Sequence, residues 1–243
     1  MTTKKNSSYE LHYFPIHGRG ATSRAILSIA KVNWKDRIQS FEAWPQDKPN
    51  TPFGLLPILT VRDSQGKMTH TFPEAEVIES FLAKEFGFFG SNAEEELEIS
   101  IALSLTTMVY NVWVFHVLHS LGPVREQVLR SFQEFSLKHW VQSCEKLLKA
   151  NGSNGHFVGE RTSLADIKAA VVLDTFSGLK DSAMYLGEDI APELRKVKQL
   201  VDKTPGYEAY RKSSAFQEQD ETTRQRVVPW IEGFDMTRAH LFA

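Results

Sequence analysis

A tyrosine that closes an alternating run, with a Gly-Arg pair shortly after it, is the arrangement richest in chemistry in this sequence. The run is Tyr9-Glu10-Leu11-His12-Tyr13; Phe14, Pro15 and Gly18 supply a turn, Arg19 follows, and a helical pattern starts near Ala21. Alternation of this kind reads as a strand, so Tyr13 stands at the carboxyl end of a first strand. In open α/β sheets that end faces the crevice where ligands sit. A phenol there can donate a hydrogen bond to a bound anion such as a thiolate, and such chemistry activates a thiol that belongs to a substrate. The other reading of Tyr13 is a half-buried strand aromatic. Arg19 reads either as a cation that supports the anion or positions Tyr13, or as one half of a salt bridge at a helix start.

Composition narrows the alternatives. A chain of 243 residues is long enough for one large domain or two small ones. The net charge of -2, with scattered basic residues, gives no footprint for nucleic acid. Cys144 is the only cysteine, which excludes an intramolecular disulfide, and it lies in the amphipathic run Leu137 to Leu148, where a buried structural thiol is expected. The eight His show neither His-x-x-x-His nor His-Glu-x-x-His spacing, so no metal is expected. Residues 1–8 are polar and basic without an apolar core. They are expected to form a flexible N-terminus with no signal peptide, in a cytoplasmic protein, and the sequons at Asn6 and Asn151 then read as chance matches. The uncharged segment Ile99 to Leu121 is long enough to span a bilayer. Its Ser100, Ser104, Thr106, Thr107, Asn111, His116, His119 and Ser120 would be costly in lipid, so it reads as a central bundle helix or dimer face, with no membrane insertion.

The elements that must position Tyr13 follow a βαβ-ββα order. Strands are expected at Tyr9 to Phe14, Arg37 to Phe41, Leu56 to Val61 and Lys67 to Phe72, with helices at Thr22 to Lys31 and from Pro73 to Glu85. Asp63-Ser64-Gln65-Gly66 reads as a hairpin turn. Gly87-Phe88-Phe89-Gly90 breaks the pattern, and everything beyond it reads as helix: Ala93 to Ser120, opened by a Ser91/Glu94 capping box, then Pro123 to Asn151, Ser163 to Ser177 and Ala191 to Thr204. A second capping box is expected at Ser163 and Asp166. The fold class is α/β plus all-α: a βαβ-ββα domain over 9–87, a linker at 88–92, a helical bundle over 93–215 and an extension over 216–243. Trp230, Ile231, Phe234 and Phe242 in that extension lead us to expect part of it to pack back on the body.

Several separated motifs, in order, resemble the cytosolic glutathione transferases, and the sigma class that includes the haematopoietic-type prostaglandin D synthases most closely. They are Leu11-His12-Tyr13-Phe14 with Gly18-Arg19; Trp44-Pro45, Lys48 and Pro52-Phe53-Gly54; Leu56-Pro57-Ile58-Leu59; Phe81 to Gly87; and Gly159 with Ser163-Leu164-Ala165-Asp166. Together they cover about residues 9 to 215. The resemblance implies a thioredoxin-like domain followed by a helical bundle. It implies Tyr13 as donor to the thiolate of glutathione, with Arg19 in support. A thiol with a pKa near 8.5 is mostly protonated at neutral pH, and a hydrogen bond to its charged form lowers that value. Trp44 and Lys48 resemble the family's ligands for the glycine carboxylate, and Leu56, before a cis Pro57, resembles the residue whose backbone pairs with the cysteinyl unit. The second-substrate pocket is expected from Ile16, Tyr110, Val114 and Phe115, each of which also reads as core packing. The resemblance further implies a homodimer, formed by the first domain of one chain and the long helix of the other.

Two departures fall at one end of the tripeptide. Where the family has Gln or Glu followed by Ser, this chain has Glu74 and Ala75. Losing a hydrogen bond to a charged group costs roughly 1.5–3 kcal/mol, about 10- to 100-fold in affinity. Thr107 stands where sigma-class members often supply an Asp. The leading expectation is a glutathione transferase acting on a hydrophobic electrophile. The alternatives are a glutathione-dependent isomerase, or a non-catalytic binding protein of this fold with a degraded γ-glutamyl site.

Overall fold

The computed structural model describes residues 7–120 and 122–226. Trp230, Ile231, Phe234 and Phe242 therefore lie outside the described residues, as does nearly all of the expected N-terminal segment. The chain divides into two compact units. The first joins the residues up to Phe88 with Thr204–Thr223, and the second holds Phe89–Lys203.

The first unit is built on β1 (Ser8–Tyr13), α1 (Ala21–Ile29), β2 (Asn33–Ile38), α2 (Trp44–Asp47), β3 (Ile58–Arg62), β4 (Met68–Pro73) and α3 (Ala75–Phe86). The sheet order is β2-β1-β3-β4, with β1 parallel to β2 and antiparallel to β3. A helix between parallel neighbours and a hairpin between antiparallel ones is what short connections allow. The βαβ-ββα expectation is met. The hairpin turn forms as read, with Gly66 N–H donating to Asp63 O at 3.0 Å.

Two boundaries differ from the sequence reading. Strand β2 occupies Asn33–Ile38 and not Arg37 to Phe41. It is an edge strand, so its pairing with β1, Ser8 opposite Asn33 through Tyr13 opposite Ile38, sets its position more than apolar content does. Pro73 closes β4 instead of opening the next helix, since it pairs across the ladder with Ile58.

The second unit contains α4 (Ala93–Val112), α5 (Val124–Ser131), α6 (Lys138–Ala150), α7 (Leu164–Ser177), α8 (Ala183–Leu186) and α9 (Pro192–Asp202). Two π-helical stretches, Trp113–Val117 and Phe132–Leu137, continue α4 and separate α5 from α6. Asn92, not Ser91, caps α4: its side chain accepts from the N–H groups of Glu94 and Glu95, both at 3.0 Å. The capping box at Ser163 and Asp166 is present. Cys144 is buried, and burial raises its thiol pKa strongly, as suits a structural thiol. Along α4 and its continuation the buried residues are Ile99, Ala102, Thr106, Val109, Tyr110, Trp113 and Val117. That three-to-four spacing is a single core-facing stripe. By length and composition alone the segment Ala93–Val117 would also pass for a bilayer span.

After α9 the chain returns to the first unit as α10 (Pro205–Arg211) and α11 (Ser214–Arg226). Gly206 lies so close to α1 that a Cβ there would sit 2.0 Å from the carbonyl oxygen of Ser28. Tyr210 packs edge-on against Trp34 of β2 with ring centroids 5.6 Å apart. The expectation that part of the extension packs back is met by Phe216, Gln219 and Thr223 of α11, described below.

Candidate active site

Successive side chains of a strand point to opposite faces, and the last two residues of β1 use this to serve two halves of one site. Tyr13 is directed to α1 and the turn after the strand. The Tyr13 hydroxyl accepts a hydrogen bond from the backbone N–H of Arg19 at 2.9 Å. The turn can wrap this closely because of its glycines. A Cβ at Gly18, where φ is +39°, would lie 2.6 Å from the Tyr13 hydroxyl oxygen, and one at Gly20 would lie 2.6 Å from the ring. Burial pushes the Tyr13 phenol up from its ordinary value, against the opposing pull of the Arg19 N–H and the charges of Arg24 and Arg19. The group is therefore a neutral phenol at physiological pH. One lone pair is engaged, and its proton can be donated.

Arg19 acts on Tyr13 through its backbone. Its guanidinium reaches Glu76 at 3.3 Å, a partly exposed ion pair. The cation that organises the loop is Arg24, whose side chain is fully buried on α1. Its Nε donates to both oxygens of Asp36 at 2.9 and 3.2 Å, Nη1 to the Ile16 carbonyl at 2.6 Å and Nη2 to the Phe14 carbonyl at 3.1 Å. The guanidinium carbon also lies 5.6 Å from the Tyr13 ring centroid. A fork of fixed donors suits this task, because it ties two successive turns of a loop to a strand. The sequence reading did not single Arg24 out. On a helical wheel Arg24 falls opposite Ala25, Ile26 and Ile29, where an exposed cation is the ordinary expectation, but α1 is buried on nearly all sides.

His12 points the other way. Gln39 donates through Nε2 to Asp47 at 2.7 Å, so its oxygen accepts from His12 Nε2 at 2.9 Å, which fixes the imidazole proton on that nitrogen. Asp47 ends α2, and this chain of bonds anchors the segment that presents Trp44 and Lys48. Phe14 adds an edge-on contact to Trp44 at 5.3 Å. Among the described residues the Trp44 indole N–H and the Lys48 ammonium have no protein partner, so both donors are available. Burial lowers the His12 pKa below its ordinary 6.5. The unfolded chain therefore takes up this proton first as pH falls, and the stabilising contribution of neutral His12 is present above pH 6.5 and lost below it. Urea unfolding should show a larger stability gap between wild type and His12→Gln at pH 7.5 than at pH 5. An equal gap at both values would mean that His12 is not held neutral.

The Leu56–Pro57 peptide bond is cis, as the resemblance implies. Leu56 precedes β3, and among the described residues its backbone groups make no hydrogen bond. Glu74 has φ +73° and ψ 123°, a backbone state unusual for any residue but glycine. Such a residue costs on the order of 1–3 kcal/mol and is found at ligand-clamping positions. Its carboxylate is exposed, while Ala75 is buried at the first position of α3. The first helical bond runs from Ile78 N–H to Glu74 O at 3.0 Å, which leaves the preceding N–H groups outside the helical ladder. Ile16 is buried in the first unit. Tyr110 is buried on α4, Val114 is half-buried on its π-helical continuation, and Phe115 on the same turn is 60% exposed and stacked against His119. Among the described residues no group of His, Cys, Asp and Glu has the arrangement of a metal site.

Comparison with known proteins gives the family of the chain. Residues 114–214 match the family model for the glutathione S-transferase C-terminal domain. The chain is 31% identical over 213 residues to probable glutathione S-transferase 6 of Caenorhabditis elegans, which covers 86% of this chain and 98% of that one. It is 27% identical over 213 residues to S-crystallin SL11 of Nototodarus sloanii, covering 86% of this chain and 99% of that one. The sigma class GST of Fasciola hepatica superposes with a TM-score of 0.74 at 23% identity, over 87% of this chain and all of the other. That last likeness carries the fold. The chain belongs to the glutathione S-transferase family, with a thioredoxin-like first domain and a helical second one. About one seventh of it lies beyond what these relatives cover.

Proposed function

We propose that this chain is a glutathione transferase of the sigma type, which binds glutathione and favours the thiolate for attack on a hydrophobic electrophile. The observation that supports this most is the Tyr13 hydroxyl, held by the Arg19 N–H, neutral, and with its proton left to donate. In the reaction the thiol proton leaves to solvent and Tyr13 donates to the resulting sulfur anion. The sulfur then forms a bond to the electrophilic carbon, and where a leaving group is present it departs with its bonding electrons. Trp44 and Lys48 hold the glycine carboxylate, the Leu56 backbone pairs with the cysteinyl unit, and the start of α3 at Ala75 takes the γ-glutamyl carboxylate. The Glu74 carboxylate attracts the adjacent ammonium.

Calorimetric titration with glutathione tests the reading. Saturable binding at sub-millimolar to low-millimolar concentration is expected for the wild type. Ala75→Ser restores one donor to a charged group and is expected to bind about 10-fold more tightly. No binding by either protein at several millimolar would remove the proposal and leave a binding protein for some other ligand. Stoichiometric consumption of glutathione with an aryl halide separates conjugation from isomerisation, in which glutathione is regenerated.

A homodimer belongs to the same proposal. Leu97, Ile101, Met108 and Phe115, each at least half exposed, form a second apolar stripe along α4 and its continuation, distinct from the one in the core. An exposed apolar row of this kind, interrupted by Ser104 and Asn111, supports an association surface. Sedimentation velocity showing a monomer at micromolar concentration would count against it.

A further inference from the structure

The part of α11 that lies in the first unit does more than cover apolar surface. Gln219 is 3% exposed and uses both ends of its amide. Its oxygen accepts from the Tyr210 hydroxyl at 2.7 Å, and its Nε2 donates to Asp36 Oδ2 at 3.0 Å. Asp36 is the partner of Arg24, which holds the Phe14 and Ile16 carbonyls. One turn along, Thr223 Oγ1 accepts from the backbone N–H of His17 at 2.8 Å while bonding the Gln219 carbonyl at 2.6 Å. Phe216 packs on the His17 ring with centroids 4.5 Å apart, and the Asp220 carboxylate lies 3.6 Å from His17 Nε2. Phe14, Ile16 and His17 thus depend on α11, directly or through the Asp36–Arg24 pair. The same loop ends in the Arg19 N–H that holds the Tyr13 hydroxyl.

A helix that only shielded an apolar face would not need a buried amide with both ends paired. Here the polar contacts converge on one loop. Resting on the transferase reading for its catalytic part, we propose that α11 is a strap that sets the position of the Tyr13 hydroxyl, with Gln219 and Thr223 as its positioning residues. Small displacements at a reacting group carry large rate penalties, up to about 100-fold per ångström.

The test compares full-length wild type with Gln219→Leu, Thr223→Val and Thr223→Ser. Two readouts are taken: hydrogen–deuterium exchange of the peptide covering residues 14–20, and kcat and KM for glutathione with 1-chloro-2,4-dinitrobenzene across pH. Gln219→Leu and Thr223→Val are expected to speed exchange in that peptide and lower kcat on the order of 10-fold. They should also move the rising limb of the pH profile upward and change KM for glutathione less than about 3-fold, because Trp44 and Lys48 stand on another segment. Thr223→Ser keeps the hydroxyl and is expected to behave as wild type, which a merely bulky role for Thr223 would not require. Unchanged exchange and pH profile in folded Gln219→Leu and Thr223→Val would overturn the strap. Faster exchange in a protein whose wild type shows no conjugation would support the strap as a loop-positioning device and overturn the transferase reading instead.

Discussion

Tyr13→Phe is expected to lower kcat about 10- to 100-fold at pH 7 and to leave KM for glutathione within about 3-fold. The magnitude follows from the loss of one hydrogen bond to a charged sulfur, roughly 1.5–3 kcal/mol, equivalent to about one to two pKa units in the bound thiol. The sign follows from which species the bond stabilises. Tyr13 donates to the thiolate, so without it the thiol holds its proton to higher pH and the thiolate fraction at pH 7 drops. Activity of the variant should therefore recover in part toward pH 9, whereas loss of a required acid would not recover. The phenylalanine ring keeps the packing against Gly20 and the cation contact with Arg24, so the loop is not expected to collapse. A pH–rate profile measured at saturating glutathione decides the matter. A variant profile that overlays the wild type would remove Tyr13 from the chemistry.

Arg24→Leu is expected to have the largest effect on stability. The substitution leaves Asp36 of β2 without its cation, and leaves the Phe14 and Ile16 carbonyls without their donors. Breaking a buried pair by removing one partner costs about 3–5 kcal/mol. For a chain of this size each kcal/mol moves Tm by about 2–4 °C. A fall in Tm on the order of 10 °C by scanning calorimetry is the expected result. Arg24→Lys keeps the charge but cannot reach a carboxylate and two carbonyls at once, and should fall between wild type and Arg24→Leu. A change in Tm below about 3 °C for Arg24→Leu would mean that Asp36 is solvated well enough to stand alone.

These two residues show where the sequence was informative. Tyr13 was legible because its signal is local: an alternating run ends in a phenol, and turn residues and an Arg follow at once. The cis Leu56–Pro57 bond and the capping box at Ser163 were legible for the same reason. Arg24 was hidden because an Arg in an amphipathic helix is as compatible with a surface position as with burial. Its meaning depends on Asp36, twelve residues on, and on Gln219, which reaches Asp36 across a separation of 183 residues. Strand β2 was misplaced because an edge strand needs little apolar content, and its parallel pairing with β1 is a long-range fact. Arg19 was selected for its charge, while the structure gives its backbone N–H the contact with Tyr13. The extension was expected to fold back on account of aromatics that lie outside the described residues. The contacts actually seen come from Phe216, Gln219 and Thr223, and the two polar residues among them carry no pattern in the sequence.

The return of residues 204–223 to the first unit also orders events during synthesis. The strands and helices that carry Tyr13 leave the ribosome first, yet Trp34 and Asp36 find Tyr210 and Gln219 only after the stretch Phe89–Lys203 has been made. At roughly 5–20 residues per second that interval is on the order of ten seconds. Over that time Trp34 lacks its ring contact with Tyr210, and the Asp36–Arg24 pair lacks the Gln219 amide. The part of the chain translated first therefore waits for residues 204–223 before its own contacts are complete.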